Sequence, residues 1–343
     1  MNTIYTTRIT RITRFLSLPL GRFGGALFYL LSLLTLASSC QMLDERDLCC
    51  YNVQLIYRYH RLGKDELSTR VQTMKHFLFN SDGVLQEVYN VSGTAVKRLE
   101  LVIPSGDYTI ISFANVEDPS FFKAFVVGQS KMSELELYID NLNPEGYQDN
   151  SERLYFAYRN FRVAKSGVKY YMVDCTHAHN ILTVNVRWKN QSPPPNNKYT
   201  MELTNVPGNY QFPIQHWVAL GEVESDATLP ESTTATVVHA IPQHLEQDVH
   251  HQVQARFKAN GNLVGSFITY RYTDERIPSY CLYGDNGALM KVIDLAKFFR
   301  QVGWKLTLNL EQVFDITITI DGDKVYVSAT NIADWEDGGT IHN

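Results

Sequence analysis

The sequence predicts an all-β protein of two domains, built mostly from antiparallel strands. Of its 343 residues, 44% are hydrophobic, and the 20 Tyr and 17 Phe are residue types that favour strands. Apolar and polar residues alternate in several segments, and Asp-Gly or Asn-Gly pairs lie between them. At about 100 to 200 residues per domain, the length indicates two domains.

Alternation with a period of two locates the strands, because it places every second side chain on one buried face. The first run is 51–60, with apolar and aromatic side chains at its odd-numbered positions. Further runs lie at 182–188, 199–203, 304–310 and 316–320. We therefore expect a strand in each segment.

Turn sequences between these runs predict hairpins. Asp82-Gly83, Asn260-Gly261 and Asp321-Gly322 supply the residues that accept a positive φ. Two turns rich in Pro, Gly and Tyr, at 104–108 and 207–210, lie about a hundred residues apart and suggest a duplicated architecture.

The middle of the chain carries the domain boundary, although no Gly/Ser linker marks it. Residues 174–180 interrupt two strand patterns there. The Pro-rich segment 193–197 is expected to be a hairpin loop between two runs that pair, and a helix is predicted over 289–300 from five apolar residues at helical spacing. The resulting division is a signal over 1–39, a first domain over 40–175 and a second domain over 176–343.

The first 39 residues have the pattern of a secretory signal. Residues 1–22 hold four Arg and no acid, an uncharged apolar stretch follows, and small residues end at Ser39. They run directly into Cys40, and this stretch resembles a lipobox with its Leu one position further from the Cys than usual. We expect cleavage between Ser39 and Cys40 and a covalent lipid on Cys40 that holds the chain on a membrane. A plain cleaved signal and a retained transmembrane helix over 23–43 are the alternatives.

Charge excludes one class of function. The net charge is −5, and no basic block lies beyond the first 25 residues, so the chain lacks the Lys/Arg face that a nucleic-acid binder needs. Cleavage before Cys40 would remove four Arg and take the charge to −9. Asp44, Glu45 and Asp47 resemble the signal that sends some lipoproteins to the outer face of the outer membrane, with a solvated tether as the alternative.

Catalytic and metal-binding motifs do not stand out. The chain has no G-x-S-x-G elbow, P-loop or H-E-x-x-H, so we expect no enzyme, no small-molecule substrate, no metal and no cofactor besides the lipid. His177 and His179 could share a strand face as metal ligands, but no third ligand is evident. We expect both to be half-exposed near the domain junction, and His250 and His251 to point to opposite faces.

Four further cysteines follow Cys40, namely Cys49, Cys50, Cys175 and Cys281. Disulfides form outside the cytoplasm, so one of the adjacent pair could bond to Cys175 and tie the first strand to the end of the first domain. We predict Cys50–Cys175 as the candidate bond. Buried free thiols are the alternative.

Several segments follow one another in a characteristic order: Cys40, the acidic stretch 44–50, the strand 51–59, then 77–83, 103–108, 154–156 and 332–335. This order resembles the FimB-type fimbrial anchor lipoproteins, relatives of the fimbrillins that build lipoprotein-derived (type V) pili. The resemblance implies two tandem transthyretin-like (Greek-key) β-sandwich domains with few short helices. It also implies the basal subunit of a fimbrium, exposed at the cell surface and anchored by lipid in the outer membrane.

The same resemblance implies how subunits join. Stalk subunits lose an N-terminal strand to a protease, and a C-terminal strand from a neighbour fills the groove. An anchor should keep its first strand, because cleavage after Arg58, Arg61 or Arg70 would release it from its lipid. The partner is then a fimbrial stalk subunit, joined by β-strand exchange that ends assembly. The candidate donor residues are Ile316, Ile318, Ile320, Val325 and Val327, with the last hairpin of the second domain as the alternative.

A lipid-anchored adhesin or glycan-binding protein without a pilus role is the alternative function. It would need an exposed platform of aromatic side chains, for which Trp188, Trp217, Trp304 and Trp335 are the candidates. Trp188 and Trp304 occupy apolar positions of predicted strands, so we expect both in the core.

Overall fold

The computed structural model describes residues 51–117, 120–139, 148–190, 197–218, 238–244, 248–307, 309–329 and 340–342. Within 212–218, 238–244 and 340–342 it describes the backbone alone. Ser39, Cys40, Cys50 and Trp335 lie outside the described residues. Strands dominate the described part of the chain, which confirms the all-β prediction; the transthyretin-like strand order stays a prediction.

Eleven strands form the described part of the first half. They are β1 (Val53–Arg58), β2 (His60–Arg61), β3 (Lys64–Asp65), β4 (Thr73–Asn80), β5 (Leu85–Ser92), β6 (Arg98–Leu101), β7 (Gly106–Ala114), β8 (Ser120–Phe122), β9 (Glu136–Ile139), β10 (Tyr155–Val163) and β11 (Lys169–His177). One short helix, α1 (Leu67–Arg70), and the 3₁₀ turns Gly93–Lys97 and Met132–Glu134 lie between them.

The second half contributes twelve strands to the described residues. They are β12 (His179–Trp188), β13 (Thr200–Pro207), β14 (Asn209–Val218), β15 (Val238–His244), β16 (Asp248–Gln254), β17 (Arg256–Phe257), β18 (Leu263–Tyr270), β19 (Ser279–Tyr283), β20 (Leu289–Asp294), β21 (Gln312–Asp321), β22 (Lys324–Ala329) and β23 (Thr340–His342). A second helix, α2 (Leu295–Gln301), follows β20 directly.

The first half is a seven-stranded sheet that folds over on itself, in the order β5-β4-β7-β10-β11-β1-β6. β11 belongs to both parts, because 169–174 pair with β1 while 175–177 pair with β10. Tyr57 of β1 reaches Ser112 of β7, although the two strands are not neighbours in the sheet. The two parts therefore face each other and enclose a hydrophobic core between them.

The second half has a six-stranded sheet, β17-β18-β12-β21-β22-β23, and a four-stranded sheet, β16-β13-β19-β20. Its first strand, β12, lies between a parallel neighbour, β21, and an antiparallel one, β18. In the first half, β1 likewise lies between the parallel β11 and the antiparallel β6. The duplicated architecture that the two turns suggest is present in this placement of the leading strand.

A shared sheet and a shared core join the halves. β8 and β9 come from the first half and β14 and β15 from the second, and they form one sheet through the pairing of β9 with β14. One hydrophobic cluster runs from Phe77 and Leu137 to Phe267 and Ile318. The predicted boundary at 175/176 falls inside β11, and only Ala178 separates β11 from β12.

The predicted hairpins are confirmed at all three Gly turns. β4–β5, β17–β18 and β21–β22 are antiparallel pairs, and Gly83, Gly261 and Gly322 have φ of 70°, 79° and 61°. The prediction that the runs flanking 193–197 pair with each other is wrong, because β12 and β13 belong to different sheets. Of that loop itself, 191–196 lie outside the described residues.

The prediction of a helix over 289–300 is wrong for residues 289–294. Leu289–Asp294 is strand β20, paired with β19, and the helix begins at Leu295. The Asp294 carboxylate accepts hydrogen bonds from the backbone N–H groups of Ala296 and Lys297, at 2.9 and 3.2 Å. This N-cap fixes the start of the helix, so residues before it are free to pair as a strand.

The predicted strand over 304–310 is also wrong. Trp304 and Leu306 lie in the connection between α2 and β21, outside any strand. Side chains replace the ladder there: the Leu306 N–H donates to Asp274 Oδ1 at 2.7 Å, and the Leu306 carbonyl accepts from Gln312 Nε2 at 2.8 Å. Buried backbone groups need partners, and these side chains supply them without a neighbouring strand.

The shared core predicts that the two halves unfold together. All four Trp belong to the second half, so their fluorescence reports that half alone, while a dye attached at Leu62, replaced by Cys, reports the first. Because burying β9 and β14 requires both halves, we expect coincident urea transitions for the two probes. Two separated midpoints would contradict the continuous core.

Candidate functional site

The first strand lies in a closed groove, hydrogen-bonded on both sides. Val53–Arg58 pairs in parallel with β11 and, over 53–56, antiparallel with β6. Its alternating side chains Val53, Leu55 and Tyr57, continued by Tyr59, are buried in the core of the first half. At about 1.5–3 kcal/mol for each large buried side chain, their burial contributes on the order of 10 kcal/mol.

The hydroxyl of Tyr57 reaches a buried polar pair on the opposite wall of the groove. It lies 2.9 Å from Ser112 Oγ, which lies 2.8 Å from His76 Nδ1. All three side chains are buried, and burial lowers the pKa of His76 to about 3 and raises the pKa of Tyr57. The histidine is therefore neutral at physiological pH, and the three groups form a neutral network linking β1, β7 and β4.

The hydroxyl of Tyr59 links the end of the first strand to the second half. It donates to Glu311 Oε1 at 3.0 Å and lies 2.7 Å from His177 Nε2. Since the single hydroxyl proton goes to Glu311, His177 donates through Nε2, and its Nδ1 has no partner among the described residues. Arg61 completes the link, with Nε 3.1 Å from Glu311 Oε2.

The outer face of β1 is also held by side chains. Gln54 donates to Glu100 Oε1 on β6 at 2.8 Å, and Arg58 Nε lies 2.5 Å from Asp174 Oδ1 on β11. Arg58 is thus inside a paired strand, where a protease cannot bind its backbone in extended form. Arg70 ends α1, with its guanidinium 2.9 Å from Glu66.

A buried arginine organises the junction between the halves. Arg271 is 1% exposed, and its guanidinium donates to the carbonyls of His177 and Leu310 at 2.8 Å and of Asn309 at 2.5 Å. The Tyr210 hydroxyl accepts from the Arg271 N–H and donates to the Ala178 carbonyl. Burial lowers the pKa of Arg271 to about 10, so the side chain stays charged at neutral pH.

The two junction histidines are buried rather than half-exposed, which corrects the sequence prediction. The rings of His177 and His179 stack at 4.4 Å, and His179 Nδ1 donates to the Leu154 carbonyl. No group of three or more His, Cys, Asp or Glu side chains able to hold a metal ion occurs in the described part of the chain. His250 and His251 do lie on opposite faces of β16, His250 exposed and His251 buried.

The candidate donor residues lie in the core of the second half. Ile316, Ile318 and Ile320 on β21 and Val325 and Val327 on β22 are buried, and β21 pairs on both sides. The hairpin alternative is therefore what the free chain forms, because releasing these residues for donation would open its own core.

The predicted disulfide stays a prediction. Cys175 and Cys281 carry buried thiols, and burial raises the pKa of both. Cys50 lies outside the described residues.

The tryptophans do not form a platform in the described residues. Trp188 and Trp304 pack against the core, and Trp304 lies 5.0 Å from the Phe299 ring and 4.7 Å from the Phe314 ring, as expected for core residues. Nothing is described of the Trp217 side chain or of Trp335.

One sheet edge of the second half exposes apolar side chains. β20 ends its sheet, and among the described strands only β19 pairs with it. Leu289, Met290 and Val292 on this strand are exposed. Many edge strands carry charges or Pro that oppose pairing. β20 carries such a residue, Lys291, beside three exposed apolar side chains, so it is a candidate surface for adding a strand.

Sequence reasoning missed the polar partners of the first strand and of the junction. Ser112, His76, Arg271 and Glu311 are 36 or more residues from the groups that they bind across the groove and junction. Ser112 and Arg271 could have been found from the sequence, because each is a polar residue within an apolar run. A polar residue at such a buried position indicates a buried hydrogen-bond partner.

Comparison with known proteins identifies the family. The sequence profile of the fimbrillin-A associated anchor proteins Mfa1 and Mfa2 matches residues 46–336. The chain belongs to this family. The resemblance to fimbrial anchor proteins is thereby confirmed, and this anchor-family member is a fimbrium-associated protein of the cell surface. No curated protein sequence matches the chain.

Solved structures share its fold. The fimbrial anchor protein Mfa2 from Porphyromonas gingivalis has 14% identity and a TM-score of 0.57, covering 86% of this chain and 95% of that one. A Bacteroides thetaiotaomicron protein provisionally described as polysaccharide-binding has 13% identity and a TM-score of 0.61, covering 83% and 99%. A second protein from that organism, provisionally described as an adhesin, has 14% identity and a TM-score of 0.61, covering 85% and 97%. In the described residues of the present chain, no helix is both long and apolar enough to cross a membrane.

Buried histidines predict a pH-dependent stability. Burial lowers the pKa of His177 to about 2 and of His179 to about 4. Below about pH 6.5 the unfolded chain protonates these histidines, whereas the folded chain keeps them neutral. The free energy of unfolding is therefore highest above pH 6.5. As the pH falls it decreases by up to ~1.4 kcal/mol per pH unit for each histidine. In urea titrations, His177→Asn should reduce the loss between pH 6.5 and 5 by about 2 kcal/mol. Gln86→Asn, at an exposed position that does not titrate, should keep the wild-type slope. Equal slopes for both variants would contradict the assignment.

Proposed function

We propose that this chain is the basal subunit of a fimbrium, lipidated on Cys40, anchored in the outer membrane and closed to strand addition on its membrane side. The observation that carries the proposal is β1, which fills its groove with pairing on both sides. A subunit whose groove is occupied by its own strand cannot receive a neighbour's strand there. Growth toward the membrane therefore ends at this subunit.

The tether from the lipid to the sheet is short. Twelve residues separate Cys40 from Val53, and they span at most about 43 Å when fully extended. The acyl chains on Cys40 would lie in the bilayer at one end, while β1 begins at the other. The first half is thus held close to the outer membrane, and the second half is the part available to the fimbrium.

The strand directions suit a subunit that carries tension. The tether enters at the start of β1, and the chain leaves the first half at the end of β11, which runs parallel to β1. Tension between these points acts along both strands and loads the pairs from Val53–Lys169 to Arg58–Asp174 together. Pairs loaded together resist separation better than pairs opened one after another.

The stalk subunit is proposed to add a strand at β20. This edge lies in the second half, and its exposed Leu289, Met290 and Val292 offer an apolar surface to an incoming strand. A paired strand would satisfy the backbone groups of β20 and cover these side chains. The buried hairpin β21–β22 would then stay in its own core while the partner donates the strand.

Replacing Cys40 by Ala should abolish fatty-acid labelling and release the protein from the membrane fraction, because no other residue would carry the lipid. Labelled palmitate followed by immunoprecipitation measures this. Cys281→Ala, which changes a buried thiol, is the matched control and should label as the wild type does. Undiminished labelling of Cys40→Ala would refute lipidation at this residue.

Val292→Lys should weaken attachment of the stalk, because a charge on an edge strand opposes pairing. Val292 and Val127 are both 55% exposed, and Val127 lies in the first half, so Val127→Lys is a matched control. Gentle extraction from cells followed by quantification of the bound fimbrial subunit should show a several-fold loss for Val292→Lys alone. Equal recovery from both variants would exclude β20 as the docking edge.

A further inference from the structure

The groove that holds β1 has an uneven lining. At Val53 and Leu55 the strand meets an apolar core, whereas at Tyr57 and Tyr59 it meets buried polar groups of other strands. An apolar groove alone would accept any strand with aliphatic residues at alternate positions. The part of the groove around positions 57 and 59 therefore favours side chains that carry a hydroxyl group.

The geometry points to a groove that selects its occupant by two tyrosine hydroxyls. We infer that it binds an extended strand with aliphatic residues at positions 53 and 55 and tyrosines at 57 and 59, and that it rejects a strand with aliphatic residues or Phe at the last two positions. The meaning of this selectivity for assembly depends on the proposed anchor role; the selectivity itself does not.

Position 57 is specified by Ser112 and His76. The Tyr57 ring lies 4.9 Å from the His76 ring, and its hydroxyl meets Ser112 Oγ at 2.9 Å. Ser112 has its other contact with His76 Nδ1, while His76 Nε2 has no partner among the described residues. A strand without a hydroxyl at this position would leave Ser112 with His76 as its remaining partner, next to a His76 Nε2 that already lacks one. Buried polar groups without hydrogen-bond partners lower the stability of the bound state.

Position 59 is specified by His177 and Glu311. The Tyr59 hydroxyl is the hydrogen-bond partner that the structure gives to the His177 ring, because Nδ1 has none among the described residues. Without it, a buried imidazole would lack both partners, and Glu311 would lose a donor. The Tyr59 ring also stacks on His177 at 5.4 Å, so a branched aliphatic residue would lose the ring contact as well.

The selectivity explains how the groove stays closed. When β1 opens locally, a competing strand with alternating Ile or Val could bury its side chains but could not satisfy Ser112 or His177. The native strand returns with both hydroxyls in place. Two effects would therefore exclude an aliphatic donor strand from a stalk subunit. The groove already holds β1, and the donor strand lacks the hydroxyl groups that Ser112 and His177 need.

A cleavable version of the full chain tests the inference. A recognition site for a sequence-specific protease is inserted between Leu62 and Gly63, at the tip of the β2–β3 hairpin where Leu62 is 90% exposed. After cleavage the first strand is held without a covalent link. Fluorescent peptides of residues 51–62 then compete with it, and their incorporation is measured by anisotropy.

We expect the wild-type peptide to exchange into the groove and the Tyr57→Phe and Tyr59→Phe peptides to compete roughly tenfold less well each, because each leaves a buried partner unpaired. A Tyr51→Phe peptide is the matched control, since the Tyr51 hydroxyl accepts from Gln54 of the same strand. In a chain carrying Ser112→Ala, discrimination at position 57 should fall while that at 59 remains. A doubly substituted Phe peptide that competes within twofold of the wild type would overturn the inference.

Hydrogen exchange in the uncut chain gives a second readout, which also decides the case in which no peptide enters. Tyr57→Phe and Tyr59→Phe should speed exchange of the β1 amides about tenfold each. Tyr280→Phe is the control, because the Tyr280 hydroxyl is buried and has no partner among the described residues. Unchanged β1 exchange in the first two variants would overturn the selectivity and leave the membrane and stalk experiments unaffected.

Discussion

The two-sided pairing of β1 is the interaction on which the rest of the architecture depends. β1 joins β6 to the rest of the folded-over sheet, since β11 and β6 meet only through it. Its buried side chains contribute on the order of 10 kcal/mol, which is comparable to the whole net stability of an ordinary domain. A chain without this strand would expose an apolar trough and leave Ser112 and His177 without their hydroxyl partners.

The junction extends this dependence to the second half. Tyr59 and Arg61 bind Glu311, which immediately precedes β21, and Arg271 binds carbonyls on both sides of the junction. With one residue between β11 and β12 and a sheet shared by β9 and β14, the halves have little freedom to move independently. A pull on the start of β1 would therefore be passed to the second half through packed strands.

Local patterns predicted the strands and turns well, and long-range partners poorly. The alternation around Tyr57 indicated the buried face of β1, but nothing near it in sequence indicates Ser112, which is 55 residues away. The spacing of apolar residues over 289–300 fitted a helix. Asp294 caps a helix that begins only at Leu295, and residues 289–294 pair as a strand instead. The alternation over 304–310 did not predict the structure, because side chains of Asp274 and Gln312 satisfy the Leu306 backbone in place of a neighbouring strand. The exposed edge of β20 depends on which strands are neighbours, and a single sequence does not contain that information.

The anchor role requires that the first strand reaches the cell surface uncut and still in its groove. Intact mass and N-terminal analysis of the protein extracted from outer membranes, combined with hydrogen exchange of residues 53–58, tests this most directly. An anchor subunit should give a single species that begins at a lipid-modified Cys40 and has β1 amides among the slowest to exchange. A mature protein that begins near Ser68 or Val71, or β1 amides that exchange freely, would contradict it.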